Sequence, residues 1–106
     1  MPRWLAPLLR RIRTLAAQGR VRLTHKALHE LALLELALDE RDACDVLRAL
    51  RVKDFGERLV SERTREWLYV FRPCVSGRVL YVKVIMREDC VVVSLHEQVD
   101  DENEDE

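Results

Sequence analysis

Two runs of β-branched residues near the end of the chain constrain its fold more than any other feature. Residues 77–86 read GRVLYVKVIM, residues 90–97 read CVVVSLHE, and only the three charged residues 87–89 separate them. Valine, isoleucine and tyrosine favour strands, and a polar break of this length is typical of a tight antiparallel hairpin. The sequence therefore predicts that these two strands form the centre of an antiparallel sheet.

The first strand of this hairpin has two unlike faces, because side chains alternate along a strand. One face is purely apolar and is expected in the core; it carries Leu80, Val82, Val84 and Met86. The other face carries Tyr81 and Lys83 among apolar neighbours, and polar groups are costly to bury without partners. We therefore expect this second face to be the working surface of the protein.

The second strand adds a histidine to the pattern. By the same alternation His96 shares a face with Ser94, and also with Cys90 and Val92. Which face of the first strand this set joins depends on the register of pairing, and the sequence leaves that open.

The region before the hairpin changes from helical to strand-like periodicity near residue 56. Apolar residues recur at helical spacing from Leu5 to Ala16, and Thr24 and Asp39 can each cap a further helix. Residues 20–23 read as a short extended link, and residues 57–63 and 66–72 read as two strands. The predicted fold class is α+β, with three N-terminal helices followed by a four-stranded antiparallel sheet.

Charge is unevenly distributed along the chain. Residues 1–22 contain six arginines and no acid, whereas residues 97–106 contain seven acids and no base. Without those last ten residues, 18 basic residues face 12 acidic ones, so the body carries a formal charge of +6. A basic body is typical of a protein that binds polyanions. The acidic tail could compete for the same basic surface or simply keep the chain soluble.

Length and composition indicate one domain, residues 1–98, followed by an acidic tail, residues 99–106, which we expect to be disordered. The apolar runs are far too short to span a membrane, so we expect no membrane association and a cytoplasmic location. The three cysteines are widely separated, and His25 and His29 have no visible third ligand. The sequence therefore suggests neither a metal site nor another cofactor.

Short segments spread over residues 8–97 carry a family resemblance. In chain order they are residues 19–22, 24–27 and 54–55, Trp67 with residues 70–73, Gly77, residues 81–83 and residues 92–95. Together they resemble the MqsR family of bacterial toxins from type II toxin-antitoxin modules. The resemblance implies a RelE-like fold and a ribosome-independent endoribonuclease that cuts messenger RNA. It also implies a cognate antitoxin that binds the toxin and, with it, represses the operon.

The resemblance also implies a metal-independent reaction, in which the 2′-hydroxyl of the RNA attacks the adjacent phosphate. Such a reaction needs a base, an acid and cations near the phosphate. The family's active-site tyrosine corresponds to Tyr81. His96 replaces a family lysine and could act as acid or base, because histidine titrates near neutrality. Arg58 is the base nearest to a second family lysine, while Arg72, which matches a family arginine, and Lys83 are expected to bind RNA.

The same residues could also serve the fold alone. Without the resemblance, Tyr81 reads as a cross-strand aromatic that stiffens the sheet, and Arg72 reads as one half of a surface salt bridge. The arginines of the first helix read as a solvated face that could secondarily attract RNA.

Two positions depart from the family pattern. The family lysine falls on Glu57 when counted forward from Asp54, and on Gly56 when counted back from Trp67. A glutamine of the family is replaced by Leu68, which can neither donate nor accept a hydrogen bond. These departures leave a second hypothesis open, namely a catalytically degenerate module on the same scaffold that binds or regulates a partner.

Overall fold

The structure is a computed structural model and describes residues 2–98. Its helices are α1 (Leu5–Ala17), α2 (His25–Leu33) and α3 (Glu40–Arg48), followed by a 3-10 turn at Val52–Asp54. Its strands are β1 (Val21–Leu23), β2 (Phe55–Val60), β3 (Trp67–Phe71), β4 (Cys74–Val75), β5 (Arg78–Met86) and β6 (Cys90–Glu97). Within this described part, no helix has the length and apolar character that crossing a membrane requires. The acidic tail predicted for residues 99–106 lies outside the described residues.

The helices begin where the sequence offers caps. The Thr24 hydroxyl accepts a hydrogen bond from the Ala27 N–H at the start of α2, 3.1 Å away. At the start of α3, Asp39 and Asp42 each accept from the other's backbone N–H, which forms a capping box. Helix α1 ends where Gly19 adopts a positive φ of 73°, a conformation that favours glycine.

The prediction of a four-stranded antiparallel sheet is wrong, because the sheet has six strands and contains a parallel pair. The order is β1-β6-β5-β3-β2, with β4 paired to β5 beside this path. Strand β1 is the segment that reads as an extended link, and it pairs parallel to β6, with Val21 opposite Cys90 and Leu23 opposite Val92. A strand of three residues is too short for alternation to identify it, and its parallel partner lies far away in sequence.

The hairpin is antiparallel, but β6 contains a bulge that the sequence pattern does not reveal. Lys83 pairs with Ser94 while the next residue, Val84, pairs with Val92, so Val93 is an extra residue in β6. The alternation of β6 therefore changes phase at Val93. Cys90 and Val92 belong to the buried core, whereas Ser94 and His96 lie on the opposite face of the sheet, with Tyr81 and Lys83.

The core lies between one face of the sheet and the helices. As expected, the apolar face of β5 contributes Leu80, Val82 and Val84, which are fully buried together with Phe71 of β3. Helix α1 packs against α3 above this face. Helix α2 packs along the part of β6 that extends beyond its pairing with β1. The opposite face of the sheet, which we call the open face, carries Tyr81, Lys83 and His96.

Candidate active site

Tyr81 and His96 face each other across the β5–β6 ladder on the open face. Their rings are stacked, with centroids 4.8 Å apart and planes 11° from parallel. His96 Nδ1 lies 2.9 Å from the Glu97 carbonyl oxygen. A carbonyl oxygen only accepts hydrogen bonds, so this contact places the hydrogen on Nδ1 and leaves Nε2 of the neutral ring as an acceptor. The register of β5 and β6, which the sequence leaves open, thus places His96 on the same face of the sheet as Tyr81.

Arg72 brings a guanidinium to the same place from the end of β3. Its Cζ lies 5.8 Å from the centroid of the Tyr81 ring. Arg72 Nε donates to Gln98 Oε1 at 3.0 Å, and Nη2 lies 3.7 Å from Glu57 Oε2. These two contacts, to Gln98 and to Glu57, hold the guanidinium beside the tyrosine.

Gly56 leaves the space in which this guanidinium lies. It is the extra residue of a bulge in β2, between Phe55, which pairs with Phe71, and Glu57, which pairs with Val70. A Cβ atom built at Gly56 would stand 2.0 Å from Arg72 Nη1 and 3.1 Å from its Cζ. Any side chain at this position would therefore displace the arginine.

Lys83 adds a second cation near the tyrosine. Its Nζ lies 5.9 Å from the centroid of the Tyr81 ring. In the sheet, Lys83 is opposite Val70 of β3 and Ser94 of β6. Among residues 2–98, no carboxylate forms an ion pair with Lys83 or a hydrogen bond with the Tyr81 hydroxyl. Both groups are therefore available to a ligand.

Helix α2 fixes the backbone of β6 next to His96. The sequence analysis did not predict this contact. Glu30 Oε1 accepts from the Leu95 N–H at 2.8 Å, and Lys26 Nζ donates to Glu30 Oε2 at 2.8 Å and to Ser94 Oγ at 2.7 Å. Burial acts to raise the pKa of Glu30, but the hydrogen bonds from Lys26 and Leu95 outweigh it, and the pKa is lowered. An ionised Glu30 thus holds β6 one residue before His96. The spacing of Lys26 and Glu30, four residues apart on a helix, was the available signal.

Arg58 lies elsewhere. It pairs with Tyr69 in the β2–β3 ladder and shares the face of Tyr69 and Trp67, opposite to that of Tyr81. Its guanidinium stacks between two indole rings, 4.3 Å from the Trp4 centroid and 3.7 Å from the Trp67 centroid. The structure therefore brings together four of the five predicted site residues and separates Arg58 from them. Neighbouring residues of a strand point to opposite faces, so the base nearest in sequence was on the wrong side.

Comparison with known families identifies the family of this chain. A family model described as "Motility quorum-sensing regulator, toxin of MqsA" matches residues 7–97. The chain belongs to the MqsR toxin family. No curated protein matches the sequence significantly. As a member of a toxin family, the chain is a toxin of a toxin-antitoxin system and has an antitoxin as its protein partner.

Within this MqsR-family fold, the two departures seen in the sequence have clear positions. Leu68 pairs with Leu59 and contributes an apolar side chain to the open face. At the β2 bulge, the space beside Gly56 holds the Arg72 guanidinium. A cation is therefore present beside the Tyr81 ring, although it comes from β3 and not from β2.

Proposed function

We propose that this toxin is a metal-independent endoribonuclease that cuts messenger RNA in the cytoplasm and is neutralised by its antitoxin. The observation that carries the proposal is the stacked pair of Tyr81 and His96 with two cations, Arg72 and Lys83, within 6 Å of the Tyr81 ring centroid. This set supplies a proton acceptor, a proton donor and positive charge within one small area. These are the groups that RNA cleavage by an internal nucleophile requires.

The proposed reaction uses the substrate's own 2′-hydroxyl. Its oxygen attacks the adjacent phosphorus as a base removes its proton, and the bond from phosphorus to the 5′-oxygen breaks as an acid protonates that oxygen. The products are a 2′,3′-cyclic phosphate end and a 5′-hydroxyl end. The protein must also stabilise the extra negative charge that the phosphorane carries between these two events.

The geometry favours particular roles. His96 Nε2, which carries no hydrogen in the neutral ring held by Glu97, is suited to accept the proton of the 2′-hydroxyl. The Tyr81 hydroxyl is suited to donate to the departing oxygen. Arg72 and Lys83 are suited to the phosphate oxygens, because hydrogen bonds between charged groups are about twice as strong as neutral ones. Arg58 has no part in this proposal, because it lies on the other face.

Purified protein incubated with a mixed-sequence messenger RNA in EDTA tests this proposal. Wild type should give cyclic-phosphate ends, and Tyr81→Phe and His96→Ala should each slow cleavage by about 100-fold to 10,000-fold, the usual contribution of a general acid or base. Tyr69→Phe and His29→Ala are matched controls, because they make the same chemical changes away from the pair. Cleavage that EDTA abolishes, or that survives in both Tyr81→Phe and His96→Ala, would refute the proposal.

A second candidate function, a catalytically degenerate binding module, is favoured by the apolar Leu68 and by the absence of a side-chain cation at Gly56. On that alternative, the folded wild type binds RNA or the antitoxin but leaves the RNA intact. The same incubation, combined with a binding measurement, separates the two functions.

A further inference from the structure

Two grooves lie near the Tyr81–His96 pair, and the residues that line them differ in charge: His96 itself lines one, and Lys83, whose Nζ lies 5.9 Å from the Tyr81 ring centroid, lines the other. One groove is lined by His96, two leucines of the α2 end and three glutamates, and these carboxylates are ion-paired with Lys26 or Arg78. The other groove, of about 380 Å³, runs along the open face from Lys83 towards the turn between β2 and β3. We call it the basic groove, because it is lined by four cationic side chains and, among the described residues, by no carboxylate.

The cations of the basic groove are Lys83, Lys26, Arg63 and Arg87. Lys83 is shared with the active-site cluster, so the groove is continuous with it. The strand distance from Lys83 to Arg87 is about 13 Å at roughly 3.3 Å per residue, which extends the positive charge well beyond a single phosphate. The apolar floor between these cations includes Leu68 and Ile85.

The groove holds its cations in different ways. Arg87 donates twice to Glu66, at 2.9 and 2.6 Å, and Lys26 is paired with Glu30. Arg63 forms no side-chain ion pair or hydrogen bond within residues 2–98. Its turn is nevertheless ordered, because Ser61 Oγ accepts from the backbone N–H groups of Arg63 and Thr64 at 3.3 and 3.2 Å. A cation on an ordered turn without a protein partner is available to an anion.

We propose that the basic groove is the subsite for the RNA chain on one side of the cleaved bond, with Arg63 as a phosphate contact at its far end. This inference rests on the proposed function, since it takes single-stranded RNA as the ligand. The difference between the two grooves supports it. The basic groove offers a polyanion Arg63 and Lys83, which have no carboxylate partner among residues 2–98, whereas the carboxylates of the other groove are already paired with Lys26 or Arg78. Such contacts position the RNA and do not read its sequence.

Binding of a fluorescent single-stranded oligonucleotide with 2′-O-methyl sugars tests the groove without cleavage, because the blocked 2′-oxygen cannot attack. Arg63→Ala should weaken binding about tenfold at low salt, as loss of one charge-assisted hydrogen bond does. It should also reduce the slope of log affinity against log salt by about 0.7, the share of one phosphate. Arg63→Glu should weaken binding further. Arg10→Ala is the matched control, since it removes the same charge from α1, across the sheet from the groove.

The outcomes separate this inference from the proposed function. Equal affinity and equal salt slope for Arg63→Ala and Arg10→Ala would overturn the groove assignment, even where an all-ribose version of the oligonucleotide is still cut. A wild type that binds but does not cut, with binding weakened by Arg63→Ala, would keep the groove and reject the ribonuclease. Unchanged RNA binding combined with weaker antitoxin binding would make the groove a protein interface, and would also overturn the inference.

Discussion

Substitution of Gly56 by alanine is the sharpest single perturbation that the active site offers. The added Cβ would lie 2.0 Å from Arg72 Nη1, whereas ordinary contact begins at 3.4 Å. The guanidinium must therefore move by about 1.5 Å to reach a normal separation. The backbone of Gly56 has no positive φ, so alanine adds no conformational strain there. The added Cβ would also lie 3.3 Å from the Val70 carbonyl oxygen, a tight contact that a small shift relieves, so the change acts mainly on the arginine.

The expected cost to catalysis follows from this displacement. A misplacement of about 1 Å in a positioned group can lower a rate about 100-fold, which corresponds to about 2.7 kcal/mol of transition-state stabilisation. The effect on folding should be small, because the contacts of Arg72 with Glu57 and Gln98 are partly exposed and pairs of this kind contribute at most about 1 kcal/mol. We therefore expect kcat/KM for RNA cleavage to fall about 100-fold while the urea unfolding midpoint changes little.

A double-mutant cycle provides the assay. Cleavage rates are compared for wild type, Gly56→Ala, Arg72→Ala and the double variant. If alanine at position 56 acts through Arg72, the double variant should be no slower than Arg72→Ala alone. Losses that multiply in the double variant would refute the reasoning, since alanine would then act on catalysis by another route. RNA affinity, measured on the same four proteins, gives a readout that does not depend on turnover.

Stability, pH and charge give further measurable outcomes. Hydrogen bonds from Arg87 lower the pKa of Glu66 from 4.5 to about 2. The ionised Glu66 therefore contributes its full stabilisation above the unfolded-state pKa of 4.5, and loses it as the pH falls through about 2. The urea midpoints of wild type and Glu66→Gln should accordingly converge in acid. Phe71 is fully buried, and Phe71→Ala should lower the free energy of unfolding by about 3–5 kcal/mol in urea titrations. Deletion of residues 99–106, which contain six acids, should strengthen RNA binding at low salt if the tail competes, and unchanged affinity would exclude competition. Wild type expressed without its antitoxin should arrest growth and Tyr81→Phe should not, whereas high wild-type yield would count against an active ribonuclease.

Much of the fold was predictable because local signals agree with it. The caps at Thr24 and Asp39 mark helix starts, and the alternation of β5 separates its core face from its open face. The sheet order was not predictable, because β1 has three residues and its parallel partner is almost seventy residues away. The bulge at Val93 was also hidden, since a run of three valines has no alternation from which a change of phase can be read.

The site was partly predictable for a similar reason. Tyr81 and Lys83 follow from the alternation of one strand, whereas His96 and Arg72 were suggested by the resemblance to a family. The position of Arg58 could not be deduced, because the bulge in β2 and the register with β3 together decide which residues of β2 reach the open face. The brace from Glu30 to the Leu95 N–H depends on how α2 docks, which no local pattern encodes.

The region around Gly56 shows how a departure from a family pattern can leave a cation in the same part of the candidate site. Counted along the sequence, the position of a family lysine is filled by glycine or glutamate, which favours a degenerate site. In space, the absence of a side chain at Gly56 is what admits the Arg72 guanidinium to within 5.8 Å of the Tyr81 ring. A glycine and an arginine on neighbouring strands can thus supply the charge that one lysine would supply. If the Gly56–Arg72 cycle shows full coupling in RNA cleavage, the departure is a relocation of the cation, and the degenerate alternative loses one of its two supporting observations.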